Sequence, residues 1–197
     1  AAEALGGAVD DFDGGTFLVT VPDTPIKCGG APLKLTMLME EYLRERGVRE
    51  DAEVVMTKPG EHVFGTGPKA PYQERIEEIW DERDITFVPN FTVDAVDYEA
   101  GVVRSEEGDE LAYDLYAPVP PQHGHEFLVE QSPLTNGGEY VDVDDHTLQH
   151  ERYDEVFAVG DCADVPTSRT ASAARKQTHV VVDNIERSMA GRDLAAD

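Results

Sequence analysis

Cys28 is the residue around which chemistry can first be argued. It lies in Asp23-Thr24-Pro25-Ile26-Lys27-Cys28-Gly29-Gly30-Ala31-Pro32, after the apolar run 16–21. A β-branched and aromatic run bounded by proline reads as a buried strand, and the periodic segment after Pro32 reads as a helix, so Cys28 falls at a strand-to-helix crossover. A helix start offers unpaired N–H groups and partial positive charge, which favour a thiolate or another anion. Lys27 adds a full charge, and Gly29 and Gly30 let the backbone turn tightly so that a ligand or second sulfur can approach. The plainer alternative is a loop cysteine without chemistry.

A second block with chemical content is Val156-Phe157-Ala158-Val159-Gly160-Asp161-Cys162-Ala163-Asp164, followed by Pro166-Thr167-Ser168-Arg169-Thr170 and a helical pattern over 171–189. A buried strand ending in Gly160-Asp161 would put a carboxylate at the carboxyl edge of a sheet, where it can accept hydrogen bonds from a sugar or ribityl hydroxyl. The helix that follows would aim its amino end at the same crevice. The alternative is an Asp-capped loop with no ligand.

The histidines do not spell a metal site. His123-Gly124-His125 and the pair His146 and His150 lack the cysteine or carboxylate spacing of a zinc centre, so they read as surface or cap residues. The Asp and Glu clusters read as solvated faces and do not form an EF-hand loop. No metal is expected.

The 197 residues suffice for a sizeable core. The 41 acidic residues against 16 basic ones give a formal charge of −25, which repels nucleic acid and anionic lipid. With 40% hydrophobic residues and clear periodicity, disorder does not explain that charge. It points to a halophile, whose carboxylates keep a surface hydrated in strong salt. Two cysteines cannot build a disulfide scaffold, and no apolar run approaches the roughly 20 residues of a membrane-spanning helix. The chain begins Ala-Ala-Glu without an initiator methionine and reads as a piece of a longer protein.

The elements that must position Cys28 and Asp161 follow in order. Residues 1–15 read as a connecting helix and turn, 16–21 as a strand, and 33–46 as a helix with Leu35, Leu38, Met39, Tyr42 and Leu43 on its core face, closed by Gly47. A strand over 53–57 completes a βαβ unit. Segment 60–70 is glycine-rich and aperiodic, and 71–84 carries Ile76, Ile79 and Trp80 on one helical face. Strands over 85–88, 91–96, 102–105 and 110–116 suggest an antiparallel meander on one face of the parallel sheet. Pro118, Pro120 and Pro121 stop the last of these, and a boundary is placed there. A short strand is expected within 140–144. The fold class is therefore α/β: a Rossmann-like, doubly wound βαβ domain with a β-meander over 16–121, and a further domain over 122–197.

Together, DTPIKCGGAPLK, HVFG, APVPPQ, YVDVDDHTLQHERYDEVFAVGDCADVPTSRTASA and the trailing RKQ resemble the sulfide:quinone oxidoreductases, in the subgroup that includes the mitochondrial enzymes. The first block and the GDC-to-PTSRT block are specific, because internal spacing and order both agree. The resemblance implies an FAD-dependent flavoprotein of two dinucleotide-binding-like domains. It makes 16–121 the second, substrate-side domain and 122–197 the C-terminal part of an incomplete FAD-binding domain.

The resemblance implies roles residue by residue. Cys28 is similar to the redox cysteine that receives sulfide sulfur as a persulfide, with Lys27 polarising the substrate. Gly160 and Asp161 resemble the turn that binds the FAD ribityl chain. Pro120 and Pro121 resemble the paired prolines near flavin and quinone, with Thr167, Ser168 and the Thr170 helix start lining the flavin and quinone side. A helix start there would stabilise a reduced, anionic pyrimidine edge. Lys176 is a further candidate for the flavin O2 edge, and Arg169 stands where relatives often have lysine.

Two departures accompany the resemblance: the strand with G-x-G-x-x-G and the second redox cysteine are both absent, and Cys162 resembles a cofactor-loop residue, not a partner for Cys28. The partners implied are sulfide and a quinone, with a cytoplasmic, peripherally membrane-associated parent protein and a fragment that by itself is inactive. An apolar edge left open would favour a homo-oligomer. The enzymatic rival is an NAD(P)H-dependent flavoprotein reductase, although Ile26 and Pro32 fit a pyrophosphate cradle poorly. A noncatalytic scaffold is the rival of another class.

Overall fold

The computed structural model describes residues 2–64 and 71–196. Its elements are α1 (Ala2–Asp11), β1 (Gly15–Thr20), α2 (Ala31–Arg46), β2 (Ala52–Thr57), α3 (Pro71–Glu82), β3 (Ile85–Val88), β4 (Val93–Asp97), β5 (Val102–Ser105), β6 (Glu110–Ala112), β7 (Leu115–Pro118), α4 (Glu126–Gln131), β8 (Val141–Asp142), β9 (Ala163–Asp164) and α5 (Ala171–Met189). They form two compact units, one of Ala1–Pro25 with Gly29–Pro121 and one of Ile26–Cys28 with Gln122–Asp197. Part of the expected aperiodic segment, 65–70, lies outside the described residues.

The first unit is built on a four-stranded sheet of order β3-β2-β1-β7. Every pair in it is parallel. Parallel neighbours cannot be joined by a tight hairpin, so the chain crosses over through α2 and then α3. Leu33, Met39 and Leu43 of α2 and Trp80 of α3 bury against Phe17, Val19, Val54 and Met56 of the sheet. Each such side chain contributes about 2 kcal/mol relative to exposure. The opposite sheet face, with Leu18 and Val55, packs on Phe91, just before β4, and on Val103 of an antiparallel meander of order β4-β5-β6. The mixed α/β class is as expected.

Several local expectations change. Residues 85–88, expected in the meander, pair in parallel with β2 as the edge strand β3. The run 110–116 is not one strand: the chain leaves the meander after Ala112 and joins β1 as β7. The cause is Asp114, whose N–H donates to the Thr16 carbonyl at 2.9 Å and whose carboxylate accepts from the Thr16 N–H at 2.8 Å. Gly15 makes room, because a Cβ there would fall 2.2 Å from the Asp114 carboxylate.

On α2, Leu38 is 67% exposed, while Thr36 and Glu40 are fully buried. The Thr36 hydroxyl donates to the Pro32 carbonyl. Glu40 is surrounded by guanidinium groups: Arg83 at 2.8 Å, Arg49 at 3.6 Å, and Arg44 one turn on. A buried carboxylate is tolerated only when its charge is met in this way.

The second unit is held by turns more than by ladders. Val141 and Asp142 pair in parallel with Ala163 and Asp164, and single bridges join Thr135 to Val141, Val143 to His150 and Gln149 to Phe157. Its core gathers Leu128, Val141, Val143, Leu148, Ala158, Ala163, Val165 and Val181. Asp144 organises one turn by accepting from the Thr147 N–H at 2.7 Å, the Thr147 hydroxyl at 2.8 Å and the His146 N–H at 3.1 Å. These bonds, the Thr147 N–H first, hold its carboxyl below the usual range.

The expected strand leading to Gly160 is not a strand among the described residues. Val159 is extended, at φ −148° and ψ 147°, but only Phe157 finds a bridge partner. Extended backbone becomes a strand only when a ladder partner runs beside it. His150, expected at the surface or in a cap, is 2% exposed; its Nε2 lies 3.0 Å from the Leu134 carbonyl and its Nδ1 accepts from the Arg152 N–H.

Replacing Glu40 with leucine would leave Arg49, only 13% exposed, without its anion. We expect Glu40→Leu to lower unfolding stability by about 3 kcal/mol, read as a fall in the urea midpoint at constant salt with an unchanged slope.

Candidate functional site

Ile26–Cys28 is a tripeptide fixed at several points within the second unit. The Lys27 N–H donates to Gln122 Oε1 at 2.7 Å, and the Cys28 N–H donates to the Arg169 carbonyl at 2.8 Å. The Lys27 ammonium lies 3.7 Å from Asp161 Oδ2, so two residues selected from separate sequence blocks form an ion pair. The two side chains are 37% and 53% exposed, and water screens a pair of this kind to a small net stabilisation. Cys28 is half-buried with φ 55°, a left-handed conformation that non-glycine residues enter rarely and at some strain.

Asp161 belongs to the 3-10 turn Gly160–Cys162. Gly160 makes that turn possible: its φ is +73°, and a Cβ there would meet the Ala174 Cβ of α5 at 3.1 Å. Its N–H donates to Gln177 Oε1 at 2.8 Å, while Gln177 Nε2 donates to the Thr167 hydroxyl at 3.1 Å. Gln177 thereby ties the turn to the 167–170 loop. Thr170 caps α5 by accepting from the Ala173 N–H at 3.1 Å. An exposed carboxylate on a tight turn beside a capped helix start can take polyol hydroxyls and place positive partial charge near an anionic group.

A cleft of about 600 Å³ opens on this turn; its lining includes Lys27, Asp161 and Cys162, the polar residues His123, His125 and Glu126, and the aromatic Phe127, Tyr140 and Phe157. The Cys162 thiol is exposed and donates to the Val159 carbonyl at 3.4 Å. Of the expected site residues, Lys27 and Asp161 line the cleft; Cys28 adjoins it through its bond to the Arg169 carbonyl, Gly160 and Thr167 are joined through Gln177, and Thr170 caps α5. Ser168 is exposed in the 167–170 loop, and Lys176 is exposed on α5 away from the cleft lining. Pro120 and Pro121 end the first unit, exposed just beyond β7. Among the described residues no group of three or more His, Cys, Asp or Glu could hold a metal ion.

Sequence reasoning did not assign roles to Gln122, Tyr140 or Gln177. Gln122 and Gln177 close two of the quoted blocks, and a glutamine, which can donate and accept at once, suits a bridge between loops. Tyr140 opens another block, and its ring lies 3.6 Å from the Arg169 guanidinium carbon.

No family model matches the chain. The mitochondrial sulfide:quinone oxidoreductase of Dictyostelium discoideum is 35% identical over 176 residues, covering 87% of this chain and 38% of that protein. The corresponding protein of Mus musculus is 33% identical over 180 residues, covering 88% and 39%. Among solved structures, the sulfide:quinone oxidoreductase from the hyperthermophilic bacterium Aquifex aeolicus superimposes with a TM-score of 0.71 at 19% identity, over 94% of this chain and 47% of that one. That likeness shows the fold.

An alanine at position 160 must hold a left-handed backbone and press on Ala174. Gly160→Ala is expected to lower the stability of the second unit by about 1–2 kcal/mol, measurable as an earlier denaturation midpoint and faster exchange of the Gly160 and Ala174 amides. The chain spans about two fifths of the length of the curated relatives it matches, and over that stretch it is related in sequence to the sulfide:quinone oxidoreductases.

Proposed function

We propose that the chain is part of a sulfide:quinone oxidoreductase, in which Cys28 takes up sulfide sulfur. The observation that carries this reading is the meeting of the Cys28 loop with the Gly160–Cys162 turn through Lys27 and Asp161. That ion pair ties the loop carrying the thiol to the turn carrying the carboxylate, and the curated relatives carry the activity in their names. On this reading 16–121 is the substrate-side domain and 122–197 the C-terminal part of an FAD-binding domain. The activity belongs to a longer protein, and the piece alone is inactive.

The residues fit FAD. Gly160 leaves no side chain on the turn, and Asp161 presents an exposed carboxylate at the cleft. The α5 start is capped by the Thr170 hydroxyl, and its first turn is built of small residues. Gly160, Asp161 and Thr170 would hold the group, and Thr167 and Ser168 of the adjoining loop would serve the quinone. FAD bound there supplies the two-electron acceptor that links thiol chemistry to a quinone.

The chain's own residues then do the following. Hydrosulfide attacks a disulfide or sulfur bridge of which Cys28 is one half; an S–S bond forms between the sulfide sulfur and Cys28, the old bridge breaks, and its electron pair leaves on the partner thiolate. Lys27 draws the anion in and orients it, while Asp161 holds Lys27 in place. The glycines after Cys28 leave room for the incoming sulfur.

The net charge of −25 supports a halophilic source. Among the described residues no helix is long and apolar enough to cross a membrane; on this reading the whole protein meets the membrane peripherally from the cytoplasmic side and forms a homo-oligomer.

Polysulfide supplies sulfane sulfur directly and so tests the sulfur-accepting residue without a cofactor. Incubated with polysulfide, the chain is expected to gain one sulfur at Cys28 with little at Cys162, by peptide mass spectrometry, and Cys28→Ser should abolish the gain. Equal labelling of both cysteines would remove Cys28 from its role.

A further inference from the structure

We infer that Arg169 is a positioning residue for Cys28, acting through its main chain while its side chain is the anchor. Its carbonyl accepts the Cys28 N–H at 2.8 Å, and Cys28 is held there with φ 55°. A cysteine in the left-handed region relaxes unless its surroundings hold it. The Arg169 carbonyl is the group seen to hold it.

What fixes Arg169 is its guanidinium. The guanidinium carbon stands 3.6 Å from the centre of the Tyr140 ring, and Nη2 lies 3.5 Å both from Asp164 Oδ1 and from the Ala163 carbonyl. The Arg169 side chain is only 16% exposed, so its contact with the ring face is little screened, whereas Asp164 is 62% exposed and its ion pair adds little. Tyr140 immediately precedes β8, while Ala163 and Asp164 form β9, and the pairs Val141 with Ala163 and Asp142 with Asp164 set both sides of the anchor in register. The small parallel ladder thus builds a seat for one arginine. Arg169 Nε is buried without a protein partner, consistent with seating by the ring face and Nη2 and not by a full fan of hydrogen bonds.

This arrangement gives the 167–170 loop a task apart from lining a cofactor: it sets the backbone of the reactive thiol. The stacked geometry suits a planar guanidinium better than an ammonium. The inference rests on the proposed reading only for why the placement of Cys28 matters.

The test is amide hydrogen exchange at Cys28 in the whole chain, read beside the Ala158 and Ala174 amides, which are bonded to Leu148 and Thr170 in the same unit. Tyr140→Leu and Arg169→Gln are each expected to speed Cys28 exchange about tenfold while Ala158 and Ala174 keep their protection. Tyr140→Phe, which retains the ring face, should restore wild-type protection. In the same samples, alkylation of Cys28 should change relative to Cys162, the reference thiol. Unchanged Cys28 exchange in both Tyr140→Leu and Arg169→Gln would overturn the inference, as would loss of protection in Tyr140→Phe. The measurement needs neither sulfide nor flavin, so its failure leaves the sulfide reading standing, and failure of sulfur uptake leaves this result standing.

Discussion

Parallel pairing of β1 with its neighbours is the constraint from which the rest follows. Because β1 runs parallel to both β2 and β7, it cannot be left through a hairpin. The chain must instead climb past the carboxyl end of β1 and return as α2, and that climb is residues 21–30. In this sheet the end of β1 pairs with the end of β7, Thr20 opposite Pro118, so the Cys28 loop and the proline-rich exit leave the same sheet edge. Carboxyl edges of parallel strands are where ligands meet α/β sheets, since loops there are free to vary without disturbing the ladder. Hydrophobic burial on the two sheet faces fixes the strands, and the strands fix where the loops begin.

The second unit solves a different problem. It has little sheet of its own, so backbone groups are met by side chains: Gln177 on Gly160, Gln122 on Lys27, Asp144 on Thr147 and His150 on Arg152. Buried polar backbone has to be paired, and where ladders are short the pairing falls to amides, carboxylates and imidazoles. Such a unit holds loops in defined geometry without long strands. That is why the Gly160–Cys162 turn, the 167–170 loop and the Cys28 tripeptide can be specified by individual hydrogen bonds.

The first unit was legible because its signals are periodic. Alternation and apolar runs marked β1 and β2, Gly47 marked the end of α2 with a left-handed cap, and Trp80 was placed in the core. Leu38 is exposed instead of buried because charge pairing of Glu40 with Arg44, Arg49 and Arg83 moves the buried stripe of α2 toward a carboxylate. Such a network spans residues that are distant in sequence, so no local pattern announces it. Asp114 acted likewise by drawing β7 out of the meander. At the candidate site, residue types were legible at Cys28, Lys27, Gly160 and Asp161, because glycine at a turn and charge beside a thiol each carry a mechanism. The seat of Arg169 on Tyr140 was not, since the cation–π contact depends on a two-residue ladder between segments more than 20 residues apart.

The central claim is that a protein containing this chain passes electrons from sulfide, by way of the Cys28 loop, to a quinone. Its most direct test is the visible spectrum of the full-length flavin-loaded protein during anaerobic titration with sulfide, followed by a soluble quinone. The account predicts that sulfide bleaches the flavin band, that quinone restores it, and that NADH leaves it nearly unchanged. Bleaching by NADH with no response to sulfide would contradict the account and assign the protein to the pyridine-nucleotide reductases.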